Sequence, residues 1–324
     1  MSLKITGKEK DTFSFDGSDP TPVGNAMGGT ELQMKWLRET VDNDLLDKFQ
    51  IIPTRVRDLD PDKPKILWVH DTANDPEVAH LRERHNCDVF DKLVFVSHWQ
   101  KQQFEYFLGL PPSKSVVLRN AIHPIEFHEK PDDQINIIYH TTPHRGLNIL
   151  LSVFQHLSDK YDNIHLDIYS SFKVYGWDHR DLDYQNLFDM ADELPNVTNH
   201  GAVSNDEVRE ALQKAHIFAY PSIWPETSCI AMIEAMSARC VTVAPTFAAL
   251  PETAANFAWM YPWHENLEAH ASMFAATLDS AIHHIKEEQV GRNLNFQKAY
   301  FDQFYGWGQR SEEWTGFLRG MASQ

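Results

Sequence analysis

Short apolar runs recur along the chain, separated by longer stretches in which apolar residues return every three or four positions. Leu32, Trp36, Leu37, Val41 and Leu45 keep the helical period and predict a helix over 30–49. Compact runs predict strands at 50–53, 66–70, 93–97 and 116–119, with a helix over 99–108 between the last two. The segment 124–134, PIEFHEKPDDQ, joins two prolines to a charge cluster and reads as a linker. A second series follows, with strands at 135–139, 164–169, near Val197, at 217–221 and at 241–244. The helices predicted among them cover 147–161, 184–193, 205–215 and 228–238. Ser204 with Glu207 three residues later forms a capping box for the helix over 205–215. Helical patterns over 267–288, 290–304 and 310–321 close the chain. Strands alternating with helices imply an α/β protein with parallel sheets. The predicted organisation is a shortened N-terminal domain over 1–123, the linker 124–134, a second domain over 135–304 and a terminal helix over 305–324. Two such modules should face each other across a cleft, with ligands beyond the carboxyl ends of the strands.

Composition narrows the function. The chain has 324 residues, 42% hydrophobic and 23% charged, enough for substantial cores. Its 29 Lys+Arg against 46 Asp+Glu give a net charge of −17, which weighs against a broad basic face for nucleic acid or anionic lipid. A small basic pocket remains compatible with that balance. The sequence contains no apolar stretch of about 18 residues, so no transmembrane segment is expected. The opening Met1-Ser2-Leu3-Lys4 precedes no apolar run, so no secretory leader is expected either. Cys87, Cys229 and Cys240 lack metal-type spacing and read as reduced thiols. The expected location is the cytoplasm, including the periphery of a membrane.

Two negatives exclude other enzymes. A Gly-x-Gly-x-x-Gly after a strand is missing, as is a Gly-x-Ser-x-Gly elbow, which argues against nicotinamide enzymes and against this type of hydrolase. Asp-x-Asp pairs at Asp42/Asp44, Asp58/Asp60, Asp60/Asp62 and Asp181/Asp183 lie in polar connections or helices, and no metal site is expected from them.

The most informative stretch runs over 219–243. Tyr220-Pro221-Ser222 ends a buried strand, Glu226 lies in the loop beyond, and Thr227 or Ser228 should cap a helix carrying Glu234. Free amides at such a helix start suit a phosphate, and carboxylates suit sugar and ribose hydroxyls. The same spacing also fits two carboxylates that merely decorate a helix start, and the residues alone leave both readings open.

The whole phrase resembles the motif of retaining glycosyltransferases of family 4, among the glycosyl transferases group 1. Seven residues separate Glu226 from Glu234, between Tyr220-Pro221-Ser222 and Glu234-Ala235-Met236, and Ala249-Leu250-Pro251-Glu252-Thr253 is similar to the family's next loop. The resemblance implies the GT-B fold, an α/β architecture of two Rossmann-like domains with a C-terminal helix crossing back to the first. Phe304-Tyr305-Gly306-Trp307 resembles the start of that helix, whose tryptophans are expected to pack. By resemblance Glu226 contacts the donor sugar, the amides of Ser228, Cys229 and Ile230 hold the diphosphate, and Glu234 binds the ribose. Arg145 resembles the cation that meets the donor phosphates, and an arginine presents a fork of donors for that purpose. His140 stands where many relatives carry a second basic residue. In the first module Gly28 and Gly29 resemble a glycine-rich loop near donor and acceptor, and His70 a histidine that contacts the donor sugar. Ser97 and Asn120 match positions lining the cleft. Arg239, Val241 and the pair Ser228-Cys229 depart from the usual Gly, Pro and Phe-Gly.

The implied activity is transfer of a hexose from a nucleotide diphosphate sugar to a sugar, lipid-linked sugar or other small acceptor, with retention of configuration. Glu226, Arg145 and His70 would be its catalytic residues. Neither a metal nor a cofactor is implied, and no nucleic acid partner is expected. A catalytically weak nucleotide-sugar-binding partner subunit with the same fold stays as the alternative.

Overall fold

The computed structural model describes residues 28–323, which form two compact units, Gly29–Ala121 joined by the residues from Trp307 onward, and Ile122–Gly306. The first unit holds four parallel strands, β1 (Gln50–Pro53), β2 (Lys65–Val69), β3 (Lys92–Phe95) and β4 (Ser115–Val117), side by side in chain order. Helices α1 (Gly29–Thr40), α2 (Asn43–Leu46), α3 (Arg84–Asp88) and α4 (His98–Leu108) accompany them. Both faces of this sheet are covered, as parallel strands require. Leu67, Val69, Leu93 and Phe95 pack in one cluster with Phe104 of α4. Trp68, on the opposite face of β2, meets Trp314 edge-on with ring centroids 4.9 Å apart. Trp307 and Trp314 are both buried, so these tryptophans pack rather than present a surface.

The helix expected over 30–49 is two helices. The Asp42 carboxylate accepts the Asp44 amide and restarts the chain at α2, while Leu45 keeps the apolar period across the break. Periodicity follows the buried stripe, and the cap decides where the helix stops. Asp60 similarly accepts the Asp62 amide, and Asp181 binds Ser171 Oγ and the Phe172 amide. These aspartates satisfy their own neighbourhoods.

The second unit contains β5 (Ile135–Tyr139), β6 (Ile164–Ile168), β7 (Val197–Asn199), β8 (Ile217–Ala219), β9 (Val241–Pro245) and β10 (Trp259–Tyr261). All pair in parallel in the order β10-β9-β8-β5-β6-β7. Its helices are α5 (Leu147–Ser158), α6 (Gln185–Glu193), α7 (Asn205–Lys214), α8 (Ile230–Ser237), α9 (Leu250–Ala254), α10 (Leu267–His284) and α11 (Glu288–Phe304). The last helix, α12 (Trp307–Ala322), belongs to the first unit. Ile137, Leu150, Phe154, Leu166, Phe218, Ile233, Val243 and Leu278 are fully buried between sheet and helices, each contributing on the order of 1.5–3 kcal/mol. The capping box at α7 forms as expected, with Ser204 accepting the Glu207 amide and Glu207 accepting the Ser204 amide. Strand β10 and helix α9 carry too few patterned residues to be seen in the sequence.

The strand order reverses between β5 and β8. This is the doubly wound order of a dinucleotide-type fold, and the connections leaving the two central strands diverge there. Any ligand crevice of this unit therefore lies beyond the carboxyl ends of β5 and β8.

Arg239 ends α8 in the left-handed region, with φ +58°. The Cys240 amide bonds Ala235 O and the Arg239 amide bonds Met236 O, a Schellman closure in which glycine is the favoured residue. The Arg239 guanidinium lies 4.2 Å from the Phe127 ring, a stacking contact that offsets part of the strain. We expect Arg239→Gly to be more stable than Arg239→Ala by about 1 kcal/mol, because alanine loses the stacking and keeps the strained backbone. Urea denaturation of the two variants measures this difference.

Candidate functional site

Four features of the chain build the site at the strand-order reversal. After β5 the chain makes a tight turn at Pro143–Arg145, with the Arg145 amide bonded to Thr142 O and the Tyr139 hydroxyl donating to the same carbonyl. Gly146 then takes φ +123°, and a Cβ there would sit 2.2 Å from Pro221 O. Only glycine lets the loop after β5 lie this close to the loop after β8. Ile223 N reaches back to Arg145 O at 3.3 Å, which ties the two loops together.

That closeness brings Arg145 to Glu226. Arg145 Nη1 donates to Glu226 Oε1 at 2.6 Å, and the buried Tyr220 hydroxyl donates to the same oxygen. Glu226 is only 6% exposed, so the pair is largely withdrawn from water. Burial works against the Arg145 charge, yet the Glu226 carboxylate, with smaller help from Tyr175, Tyr220 and Cys229, holds its pKa well above the ordinary value. Burial and the Glu226 charge push the Tyr220 phenol up, keeping it a donor. Arg145 Nε is buried without a partner, so the guanidinium retains donor capacity.

Helix α8 begins beside this pair. Cys229, not Thr227 or Ser228, occupies its N-cap position, and no side chain makes a capping hydrogen bond there. The expected hydroxyl cap is thus corrected: the bend continues through Ser228, and the helix starts only at Ile230. No hydroxyl caps the helix; the Ala231 and Met232 amides face the Cys229 sulfur, a weak acceptor, and the partial positive charge of the helix start stays at this end. Cys229 itself is a buried thiol, its pKa raised well above the ordinary value by burial and by Glu226.

Glu234 lies within α8 and is also buried. Its Oε1 accepts from Asn205 Nδ2 at 3.2 Å and Arg209 Nη1 at 3.4 Å, while Arg209 Nη2 holds the His123 carbonyl at 2.8 Å. Burial raises the Glu234 pKa against the opposing effect of Arg209 and Asn205. Asn205 and Arg209 give no signal in the sequence because their partners lie far along the chain, and only the packing of α7 on α8 pairs them.

His140 follows β5 and has its Nε2 buried without a partner, its ring 4.9 Å from that of Phe218. Burial lowers its pKa to about 3, so it is neutral near pH 7 and supplies no second positive charge. His144 stacks on Phe172 at 5.2 Å and meets the half-exposed Trp224 edge-on at 4.7 Å.

The remaining predicted residues lie outside this cluster, most of them in the first unit. Gly29 opens α1 and Gly28 immediately precedes it, whereas Met27 lies outside the described residues. His70 follows β2, its amide bonded to Thr54 Oγ1 at 2.7 Å, and its Nε2 is inaccessible to water. Burial lowers its pKa to about 3. Gln100 shapes this turn by donating to Val69 O and Asp71 O and accepting from the Val96 amide. The buried Ser97 hydroxyl caps α4 by accepting the Gln100 amide at 3.0 Å. Asn120 is buried with its Oδ1 unpartnered, and the Gln33 side chain grips the neighbouring Ala121 through both its amide and its carbonyl. Among the described residues, no group of three His, Cys, Asp or Glu side chains is arranged to hold a metal ion.

The buried histidines set a pH dependence. His70 and His140 have folded-state pKa values near 3, below the unfolded value of 6.5. Below pH 6.5 the unfolded chain binds their protons and the folded chain does not, so stability falls as pH drops from 6.5 towards 3. The slope is about 1.4 kcal/mol per pH unit for each such histidine. Asp71, whose pKa is raised to about 6 chiefly by burial, acts in the opposite sense and offsets part of the loss between 6 and 3.8. Denaturation midpoints at pH 7 and pH 5 should differ in this direction, and His140→Asn should flatten the difference.

Two parallel α/β units, the second with the doubly wound strand order and a cation–carboxylate pair at its reversal, define the GT-B class of glycosyltransferase folds. Residues 119–290, just over half of the chain, match the family Glycosyl transferases group 1, and the chain belongs to that family. A glycosyltransferase from Rickettsia africae superposes with a TM-score of 0.68 at 14% identity, covering 91% of this chain and 80% of that one. The Anabaena protein Alr3699/HepE in complex with UDP gives 0.64 at 14% identity, covering 80% and 72%. The pneumococcal O-GlcNAc transferase GtfA in complex with UDP and GlcNAc gives 0.63 at 11% identity, covering 81% and 53%. By sequence, the chain is 27% identical over 168 residues to a phosphatidylinositol N-acetylglucosaminyltransferase subunit of Arabidopsis thaliana, a match spanning 50% of this chain and 36% of that protein. Among the described residues, no helix is long and apolar enough to cross a membrane.

Proposed function

We propose that the chain is a family 4 enzyme that moves a hexose from a nucleotide diphosphate sugar to an acceptor with retention of configuration. The observation that carries this reading is the Arg145–Glu226 pair beside the uncapped start of α8. A departing diphosphate develops negative charge, and one guanidinium beside the positive end of a helix stabilises charge at that point. Glu226 accepts hydrogen bonds from sugar hydroxyls, and Glu234 takes the ribose. In this mechanism the donor phosphate accepts the acceptor's proton on the same face, so no protein nucleophile, metal or cofactor takes part. His140, Gly28, Gly29, His70, Ser97 and Asn120 enter the proposal through the family resemblance. The three free, buried cysteines fit a reducing compartment and support a cytoplasmic location.

The Anabaena neighbour was crystallised with UDP-glucose and the pneumococcal one with UDP and GlcNAc, while the plant relative is part of an N-acetylglucosaminyltransferase. Uridine diphosphate sugars are therefore the first donors to test. Incubation with uridine, guanosine and adenosine diphosphate sugars should release nucleotide from one of them. The same donor should stabilise the protein by about 2.7 kcal/mol at a hundredfold excess over Kd. The absence of both stabilisation and release with every donor would overturn the reading. The plant relative's being one subunit of an enzyme favours the second reading, a nucleotide-sugar-binding subunit, which predicts stabilisation without release even when acceptors are supplied.

A further inference from the structure

We infer that Tyr220 is a positioning residue that anchors Glu226 while Arg145 is exchanged from that carboxylate to the donor diphosphate; this rests on the donor site proposed above. Among the described residues, the donors to the Glu226 carboxylate, Tyr220 Oη and Arg145 Nη1, converge on Oε1. Oε2 takes no hydrogen bond among the described residues, and it is not among the buried unpartnered atoms. The carboxylate is thus divided, one oxygen held by protein and one open to a ligand hydroxyl.

The two donors differ in freedom. Arg145 sits on a turn after β5, and its side chain keeps 22% exposure. Tyr220 is fully buried immediately after β8, its amide bonded to Val243 O and its ring packed on that of Phe218 at 5.4 Å. A diphosphate beside Arg145 competes with Glu226 for the same guanidinium. When Arg145 turns to it, Glu226 without Tyr220 would be left as a buried carboxylate with no protein donor, a costly loss of solvation for the charge. The Tyr220 hydroxyl keeps one hydrogen bond on Oε1 throughout, so the exchange never strands the carboxylate, and Oε2 keeps its direction.

The effect is therefore expected in donor binding more than in the chemical step. Tyr220→Phe keeps the ring and its packing and removes only the hydroxyl. It should raise the KM for the donor sugar about tenfold, the worth of one hydrogen bond to a charged group, with kcat within about threefold of the parent. p-Aminophenylalanine at position 220, which restores a donor at the same place, should return KM towards the parent value. In a Glu226→Gln background, where turnover is lost, Tyr220→Phe should have little further effect on the Kd for the donor sugar, against about tenfold in the parent background. An unchanged KM in Tyr220→Phe, equal effects in both backgrounds, or loss of kcat alone would overturn the inference. If Tyr220→Phe does not fold, the p-aminophenylalanine variant decides: a KM far above the parent in a folded protein overturns it. Parent protein that turns over no nucleotide sugar removes the proposed function and this inference with it, whereas parent turnover with an unaffected Tyr220→Phe removes the inference alone.

Discussion

Replacing Arg145 by alanine should lower donor turnover by about a hundred- to a thousandfold, the usual loss when one donor to a developing oxyanion is removed. The reason is geometric. Arg145 is the cation paired with Glu226 at the reversal of strand order, and the nearby His140 is held neutral by burial. The substitution also carries a structural cost that the sequence does not show. It leaves Glu226 buried with only the Tyr220 hydroxyl, and breaking a buried pair in this way typically costs about 3–5 kcal/mol. Glu226→Ala strands Arg145 less severely, because Arg145 is the more exposed partner, with 22% of its side chain accessible against 8% for Glu226. Arg145→Ala combined with Glu226→Ala should be less destabilised than the sum of the single changes, while remaining inactive. Urea denaturation of the four proteins, with nucleotide release measured on each, separates loss of chemistry from loss of fold. Turnover within a few-fold of the parent in Arg145→Ala and Glu226→Ala would remove both residues from the mechanism.

The second large effect is expected at Gly146. An alanine there would place its Cβ 2.2 Å from Pro221 O while the backbone holds φ +123°. Neither partner is the end of a flexible side chain, so one of the two loops must move. We expect Gly146→Ala to destabilise the protein by about 3 kcal/mol or more, and donor affinity to fall with it because Arg145 is the adjacent residue. Gly201 provides the control: its φ is +65° with nothing within 4 Å of the added methyl. Gly201→Ala should cost only about 1 kcal/mol, the penalty of the left-handed backbone alone. Similar denaturation midpoints for the two variants would show that the close approach to Pro221 does not constrain the loops.

Much of the site can be read before folding because its residues are near one another in the chain. Glu226, Cys229 and Glu234 fall within one loop and one helix, and the phrase around them is specific enough to name a family. The alternation of strands and helices over 135–244 is similarly local, since each element buries its own apolar positions. Elements held by few residues leave no such trace: β10 and α9 have three and five residues and no periodicity of their own. The cap of α8 lies one or two positions later than residue preference suggests, because Thr227, Ser228 and Cys229 are all compatible with a helix start. The course of the backbone through the bend, not residue preference, puts Cys229 at that position.

The sequence by itself determined the α/β class, the family and the types of group available for the chemistry, because apolar period and local motif are properties of neighbouring residues. Tertiary structure alone decided which groups meet. Arg145 and Glu226 are 81 positions apart, and they touch because strand order reverses between β5 and β8 and because Gly146 has no side chain to keep the loops apart. The Tyr220 hydroxyl on the same carboxylate oxygen, and the pairing of Arg209 with Glu234, follow from burial that no linear pattern encodes. Spacing along the chain sets what an element is, whereas the energy of a buried charge depends on what surrounds it in three dimensions.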